Sequence, residues 1–434
     1  PDRLLTKCKY IYIKGKVRKI TPKDKKEILN INSNFANNAL RVLGFAYKTI
    51  SSNKTKEEDL IFLGLQGMID PPRKDVKKDI EKCYAAGIKV VMITGDHELT
   101  AKAIANKLGL TGKTIDCSNL KKINLKTSVD KISVYARASP EDKMKITKAL
   151  KDKGHIVAMT GDGVNDAPAL KDADIGIAMG VSGTDVAKDS SDMILTDDHF
   201  SSIVSAVEEG RHIYANIKKF VSYLISSNLG EVFTIFIAIM LGLPMPLLAI
   251  QILWINLMTD GFPALALSVD PADKDLMKFK PRDKKENIIT KRKFSYMMLT
   301  GLIMMISTLL IFVYYNKNYN LVYAQTIGFT TLMMLQMYNV INNRSETQSA
   351  LSNLFSNKWL IIAILSSILL QFIVLYTPLS IIFHTTYATS LSNWNFFEPI
   401  LNLKDWFIIL LVSSSVLIFG EIVKLFKYVS TKHL

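Results

Sequence analysis

Three short strings in the first half of the chain put hydroxyl, amide and carboxylate groups at the ends of apolar runs or at a helix start. Val90-Val91-Met92-Ile93 leads into Thr94, Gly95 and Asp96. Ile156–Thr160 leads into Gly161, Asp162, Gly163, Val164, Asn165 and Asp166. Between them, Lys143 lies just inside a helix pattern that opens at Ser139-Pro140-Glu141. A hydroxyl and a backbone amide at the end of a buried strand can hold a phosphoryl oxygen. A lysine nearby can neutralise a phosphoryl group or an aspartyl nucleophile. Two carboxylates four apart, with glycines between, suit Mg²⁺, which takes a few carboxylates plus phosphate and water. Mg²⁺ in turn stabilises charge on a transferring phosphoryl group. Each string alone has a plainer reading, as an ordinary turn or a solvated lysine. The three together, in this order, favour phosphate chemistry.

A second set lies in apolar surroundings. Asn228 and Glu231 are three apart, and Asn256, Thr259 and Asp260 share one helical face. Ionisable residues within membrane spans are costly and mark ion paths. These groups offer carboxylate, amide and hydroxyl oxygens, which hard cations such as Ca²⁺ accept. The plainer reading is hydrogen bonding between helices, and for Asn228 alone it is the preferred one. Gly261 and Pro263 follow directly and are expected to loosen the helix there.

The elements that would position these groups differ between the two halves. From Ile61, β-rich runs alternate with amphipathic helical stretches. The expected strands are Ile88–Thr94, Val134–Arg137, Ile156–Thr160, Ile175–Ala178 and Met193–Leu195. The expected helices are Lys74–Ala86, Glu98–Leu108, Pro140–Lys151 and Ala167–Asp172. Such alternation implies a parallel sheet flanked by helices, with its chemistry at the carboxyl ends of the strands. Residues 1–60 read as the tail of a small α/β domain, with a helix-like start at Asn37 running into the strand-like Leu43–Tyr47. From Ile217 six apolar segments follow, near 220–243, 248–269, 296–315, 321–341, 359–377 and 406–426. Each is close to the ~20 residues a bilayer-crossing helix needs. The fold class is therefore multidomain: an α/β Rossmann-like domain over 61–215, after the 1–60 segment, and a six-helix transmembrane domain over 216–434.

The net charge of +15 would suit nucleic acid, but its placement argues against that partner. Lysines and arginines cluster beside the apolar runs, above all in Asp273–Lys293. Arg344, Lys358 and the C-terminal lysines join them, whereas the opposite links hold one lysine, Lys317. The positive-inside rule then puts the soluble half and the C-terminus on the cytoplasmic side, which an even number of spans satisfies. Cys8, Cys83 and Cys117 form no CxxC pair and fit free thiols in a reducing compartment. The chain opens on Pro1 with no signal peptide and reads as part of a longer one.

The string TGDGVNDAPAL at Thr160–Leu170, with DPPR at Asp70–Arg73 and TGD at Thr94–Asp96, resembles the phosphorylation domain of P-type ATPases, which belong to the haloacid dehalogenase superfamily. The likeness continues through Ile175–Gly180, Asp197-Asp198 and Glu208–Arg211 and covers essentially the whole chain. It implies that Thr94, Gly95 and Asp96 hold phosphate and Mg²⁺. Lys143 would contact the phosphoryl group, Asp162 and Asp166 would serve Mg²⁺, and Asn165 would stand among the catalytic residues. Arg41 and Arg73 would contact the nucleotide, ATP, and 1–60 would end the nucleotide-binding domain. The family's nucleophile, in an Asp-Lys-Thr-Gly-Thr string, does not occur in the sequence. The resemblance places it upstream, with the dephosphorylating actuator domain and four further membrane helices, so the 434 residues alone are expected to be inactive.

Asn228–Glu231 and Trp254–Gly261 resemble the fifth and sixth membrane helices of sarcoplasmic-reticulum-type calcium pumps. Asn256 favours calcium, because potassium-coupled pumps carry an acid there. Gln336 stands where the reticulum pump has a glutamate, and it reads equally as ligand or as interhelical glue. The expected function is Ca²⁺ transport driven by ATP through an aspartyl phosphate, with the lipid bilayer, ATP and Mg²⁺ as partners. The alternatives are a pump for another cation such as Mn²⁺ or Na⁺, and a non-catalytic membrane subunit of a split pump.

Overall fold

The computed structural model describes residues 1–38, 40–50, 56–68, 71–272, 276–346, 348–385 and 401–432, with 427–432 by backbone alone. These fall into two units, Pro1–Glu208 with Asp275–Lys284 and Glu209–Lys274 with Lys285–Leu434.

The first unit opens with α1 (Asp2–Lys7), β1 (Cys8–Ile13), β2 (Lys16–Lys19), α2 (Pro22–Asn37), β3 (Arg41–Tyr47) and β4 (Leu60–Met68). The sheet order is β2-β1-β4-β3. Leu5, Cys8, Ile11, Ile28 and Phe62 form its core. The expected helix start at Asn37 is in fact a helix end. Pro22 and the Thr21–Asp24 capping box start α2, and Asn38 closes it. Its charged, mostly exposed face hid the period. β4 was not expected as a strand. It pairs with both β1 and β3, so the first sheet runs past the boundary drawn at residue 60.

Next come α3 (Val76–Ala85), β5 (Met92–Ile93), α4 (Glu98–Leu108), β6 (Lys113–Asp116), α5 (Leu125–Ser128), β7 (Ile132–Ala136) and α6 (Pro140–Asp152). They are followed by β8 (Ala158–Gly161), α7 (Ala167–Asp172), β9 (Ile175–Met179), α8 (Asp185–Asp189) and β10 (Met193–Leu195). Every pairing among β5–β10 is parallel. The single expected sheet appears as two three-stranded ones, β5-β7-β6 and β10-β9-β8. Only Met92 and Ile93 of the expected strand Ile88–Thr94 pair, both with β7. β7 is buried at all five positions, as an apolar strand between helices should be. β6 is short and polar and gave no strand pattern.

The second unit holds most of α9 (Phe200–Met240), then α10 (Ala249–Trp254), α11 (Gly261–Ser268), α12 (Lys291–Asn318), α13 (Leu321–Asn342), α14 (Lys358–Tyr376), α15 (Leu379–Ile382) and α16 (Leu403–Lys432). Among the described residues five helical stretches are long and apolar enough to cross a bilayer: α9, Ala249–Ser268, α12, α14 and Leu403–Phe426. The sixth expected span, 321–341, is the helix α13, but its composition does not qualify it. Its glutamines, threonines and asparagines are all buried against other helices. A helix enclosed by neighbours need not be apolar toward lipid.

The span 248–269 is broken just before Gly261 and Pro263, the residues expected to loosen it. A π-helical turn, Ile255–Thr259, separates α10 from α11, and α11 continues through Gly261 and Pro263. Arg344, counted above as a loop charge, is buried. Its Nε donates to Asp270 Oδ1 at 3.0 Å. Asp270 also accepts from Lys219 Nζ at 2.9 Å and Asn357 Nδ2 at 2.9 Å, so one carboxylate ties together α9, α13 and the start of α14. Most of the loop 378–403, namely 386–400, lies outside the described residues.

Candidate functional site

In the first unit, hydrogen bonds past the end of β5 fix the Thr94–Asp96 turn. Thr94 N–H donates to Tyr135 O at 2.9 Å, and Arg137 N–H donates to Asp96 O at 2.9 Å. Thr94 Oγ1 accepts from Asp96 N–H at 3.1 Å and donates to Asp96 Oδ2 at 3.1 Å. The turn thus presents one hydroxyl and one carboxylate, already aligned with each other.

Lys143 and Asp166 meet. Ser139 and Asp142 form a capping box that starts α6, with Pro140 in its first turn, and this sets Lys143 on the helix's opening turn. Its Nζ reaches Asp166 Oδ1 at 2.5 Å. The other oxygen of Asp166 faces the N–H groups of Asp162 and Gly163, each at 3.4 Å. Asp166 approaches so closely that a Cβ on Gly161 would lie 2.5 Å from Asp166 Cβ. The glycine at that position is therefore a packing requirement.

Asp162 and Asn165 are exposed, and among the described residues no hydrogen bond engages either side chain. The donor set fits Mg²⁺, which needs only one or two carboxylates beside phosphate and water. Asp162 offers a free carboxylate, while Asp166 is held by Lys143. The two nucleotide candidates do not join this cluster. Arg41 is exposed at the first position of β3, opposite Met68. Arg73 donates from Nη1 to the Asp198 carbonyl at 2.8 Å. Asp70, which begins the DPPR string, lies outside the described residues.

In the second unit, three helices bring the cation candidates together. Glu231 on α9 is 3% exposed, and Thr259, Asp260 and Gln336 are each 0% exposed. Gln336 Nε2 donates to Glu231 Oε1 at 2.9 Å, and Asn256 Nδ2 donates to Glu231 Oε2 at 2.7 Å. Thr259 Oγ1 is turned back to Ile255 O at 3.1 Å. Asp260 Oδ2 and Gln336 Oε1 are buried with no hydrogen-bond partner. Buried oxygens left unpaired are costly, and two of them beside a carboxylate pair suit a cation. Asn228 is exposed; among the described residues its side chain joins neither the cluster nor a hydrogen bond between helices.

One contributor was not found in the sequence. Tyr223 donates its hydroxyl to Asp260 Oδ1 at 2.8 Å. Tyr223 lies eight residues before Glu231, near its helical face. A phenol in an apolar run was the available signal. The π-helical turn itself left no trace in the hydrophobic pattern, yet such turns recur at functional sites.

Two family descriptions match the chain. "P-type ATPase, cytoplasmic domain N" covers residues 1–75, and "Cation transporting ATPase, C-terminus" covers residues 244–426. The chain is 47% identical over 403 residues to the calcium-transporting ATPase of Bacillus subtilis (strain 168), covering 90% of this chain and 45% of that protein. It is 45% identical over 456 residues to calcium-transporting ATPase 1 of Bacillus cereus, covering 98% and 50%. It is 39% identical over 433 residues to calcium-transporting ATPase type 2C member 1 of Bos taurus, covering 98% and 43%. The chain thus spans about half the length of these relatives.

Proposed function

The chain belongs to the cation-transporting P-type ATPases, and we propose that it is the carboxyl-terminal part of an ATP-driven pump that moves Ca²⁺ across a membrane. The observation that carries this reading is the cluster of Glu231, Asp260 and Gln336, buried between helices of an integral membrane protein, with two oxygens unpaired. Calcium is supported by the names of the relatives and by Asn256, whose amide contacts Glu231 where a potassium-coupled pump would carry an acid.

The soluble unit would act as a haloacid-dehalogenase-like phosphorylation domain up to residue 215, after a nucleotide-domain segment that runs through β4, which ends at Met68. Thr94 and the amide of Gly95 would hold phosphoryl oxygens. Lys143 would neutralise the phosphoryl group while fixing Asp166. Asn165 would stand beside them, and Arg41 and Arg73 would meet ATP. Asp162, with Asp166 behind it, would hold Mg²⁺, which supplies positive charge for the phosphoryl group. The phosphorylated aspartate would come from an N-terminal remainder of the same pump, together with its actuator domain and first four membrane helices. Asn228 and Asn256 are exposed on helices of membrane length. Polar groups are costly toward lipid, and further helices would cover them. With α13 as a sixth span, the soluble unit and the C-terminus lie on the cytoplasmic side by the positive-inside rule.

The test is phosphorylation of the full-length protein by labelled ATP, with and without Ca²⁺, beside Asp260→Asn. The expected result is a Ca²⁺-stimulated, acid-stable and hydroxylamine-labile label that the variant loses. Label that answers only to Mn²⁺ or Na⁺ would keep the pump and replace the ion. No label with any cation would favour a non-catalytic membrane subunit.

A further inference from the structure

The π-helical turn Ile255–Thr259 runs straight into Asp260, and the peptide group joining Thr259 to Asp260 is held at both ends. Its N–H, that of Asp260, donates to Ile255 O at 2.8 Å. Its carbonyl, that of Thr259, would ordinarily accept from the N–H four residues on. That residue is Pro263, which has no N–H. The next amide, Ala264, donates to Asp260 O at 3.0 Å instead. The Thr259 carbonyl therefore lacks its helical donor inside the membrane unit, where an unpaired backbone group is expensive.

A different helix supplies the donor. Ser367 on α14 is 0% exposed, and its Oγ donates to Thr259 O at 3.3 Å. One turn further along α14, Gln371 is also buried and donates to Thr330 Oγ1 at 3.2 Å. The helix α14 thus turns Ser367 toward the broken helix and Gln371 toward α13.

We propose that Ser367 is a positioning residue of the cation site: by holding the carbonyl that Pro263 orphans, it fixes the peptide plane that aims Asp260. The peptide group is rigid and planar, so its carbonyl direction and the Asp260 N–H direction are one variable. Ser367 and Ile255 clamp that variable from opposite sides. The Asp260 side chain then points at Tyr223 without having to search. Removing the hydroxyl leaves the carbonyl free to rotate toward any other donor, and Asp260 turns with it. The result is weaker cation binding with the phosphoryl chemistry untouched. This inference rests on the reading of Glu231 and Asp260 as the transported-cation site.

The experiment is a double-mutant cycle on the full-length protein, read as cation-dependent phosphorylation from ATP. Ser367→Ala should raise the half-saturating Ca²⁺ concentration about three- to ten-fold, as loss of one hydrogen bond implies, at an unchanged maximal label. Pro263→Ala restores an N–H four residues beyond Thr259. In that background Ser367→Ala should shift nothing. Unchanged half-saturation in Ser367→Ala overturns the proposal. So does an equal shift in both backgrounds, because the hydroxyl would then act on something other than this carbonyl. If the wild type answers to another cation, the calcium reading fails, and the same cycle with that cation decides on Ser367 by the same criteria. If label forms with no cation dependence, the cation-site reading and the proposal both fall.

Discussion

Gln336 on α13 donates its amide to Glu231 on α9 across 2.9 Å, although 105 residues separate them, and its own Oε1 is left buried without a partner. Of the two readings the sequence left open, the hydrogen bond between helices is the one seen. The nitrogen ties two helices together, and the oxygen is left unpaired.

Replacing Gln336 by leucine separates these roles from bulk packing, because the volume is nearly kept. Glu231 then loses one of its two amide donors. Hydrogen bonds to a charged group contribute about 1.5–3 kcal/mol. The half-saturating cation concentration for phosphorylation should rise by about ten-fold or more. A cation titration of Gln336→Leu with a wild-type curve would remove Gln336 from the site.

Gly161→Ala should damage the phosphate cluster through packing alone. The added Cβ would press against Asp166 Cβ at 2.5 Å, and Asp166 is the partner of Lys143. Overpacking of this kind costs about 1–3 kcal/mol. Expected outcomes are a lower thermal midpoint and phosphorylation reduced at every cation concentration, with half-saturation unmoved. A variant that melts and labels like the wild type would contradict the packing argument.

Asp198 gives the first unit an acid-sensitive joint. Its carboxylate accepts from the N–H groups of Gly180, Val181 and Ser182 at 2.7–3.0 Å, and from Ser182 Oγ at 2.8 Å. Burial pushes its pKa up, but these donors outweigh that and bring it down to about 2. A carboxyl whose folded value lies below the ordinary ~4 stabilises the fold above that value. The contribution fades as pH falls from ~4 through about 2. Asp198→Asn keeps the left-handed backbone at this position (φ 52°), which asparagine tolerates. The variant should melt earlier at neutral pH and lose less further stability between pH 4 and pH 2. Thermal midpoints across that range check this, and parallel curves for the two proteins would refute it.

Cys117 should resist thiol reagents. Burial above all, then the charges of Asp142 and Asp116, push its thiol up to about 11. The thiolate is the reactive form, so at pH 7 it is scarce as well as covered. Mass spectrometry after maleimide treatment should find Cys117 unmodified until the protein is unfolded. Rapid labelling of the folded protein would mean that the core around Tyr135 and Ile146 opens readily.

Local pattern carried much of the first unit. The helices Glu98–Leu108 and Ala167–Asp172 occur with the bounds their spacing suggests; caps bound the first, and Pro168 stands in the opening turn of the second. His97 caps the first by accepting from Leu99 N–H, and Gly109 in the left-handed region ends it. Where local signals conflicted, the reading failed. The α2 helix was missed because its charged exposed face masked its period. The β6 strand was missed because its neighbour β7, not its own composition, makes it a strand.

By itself the sequence determined which groups are present and which could act together over a few residues. The Thr94–Asp96 and Asp162–Asp166 strings, and the Glu231 and Asp260 carboxylates within apolar runs, were all legible, because side-chain chemistry and helical spacing are local properties. Tertiary structure alone decided the pairings between distant segments: Lys143 with Asp166, Gln336 with Glu231, Tyr223 with Asp260 and Ser367 with the Thr259 carbonyl. It also decided where the broken span breaks. The physical reason is that a buried polar group must find its partner wherever packing brings one within about 3 Å, and nothing local in the sequence specifies which distant segment that will be.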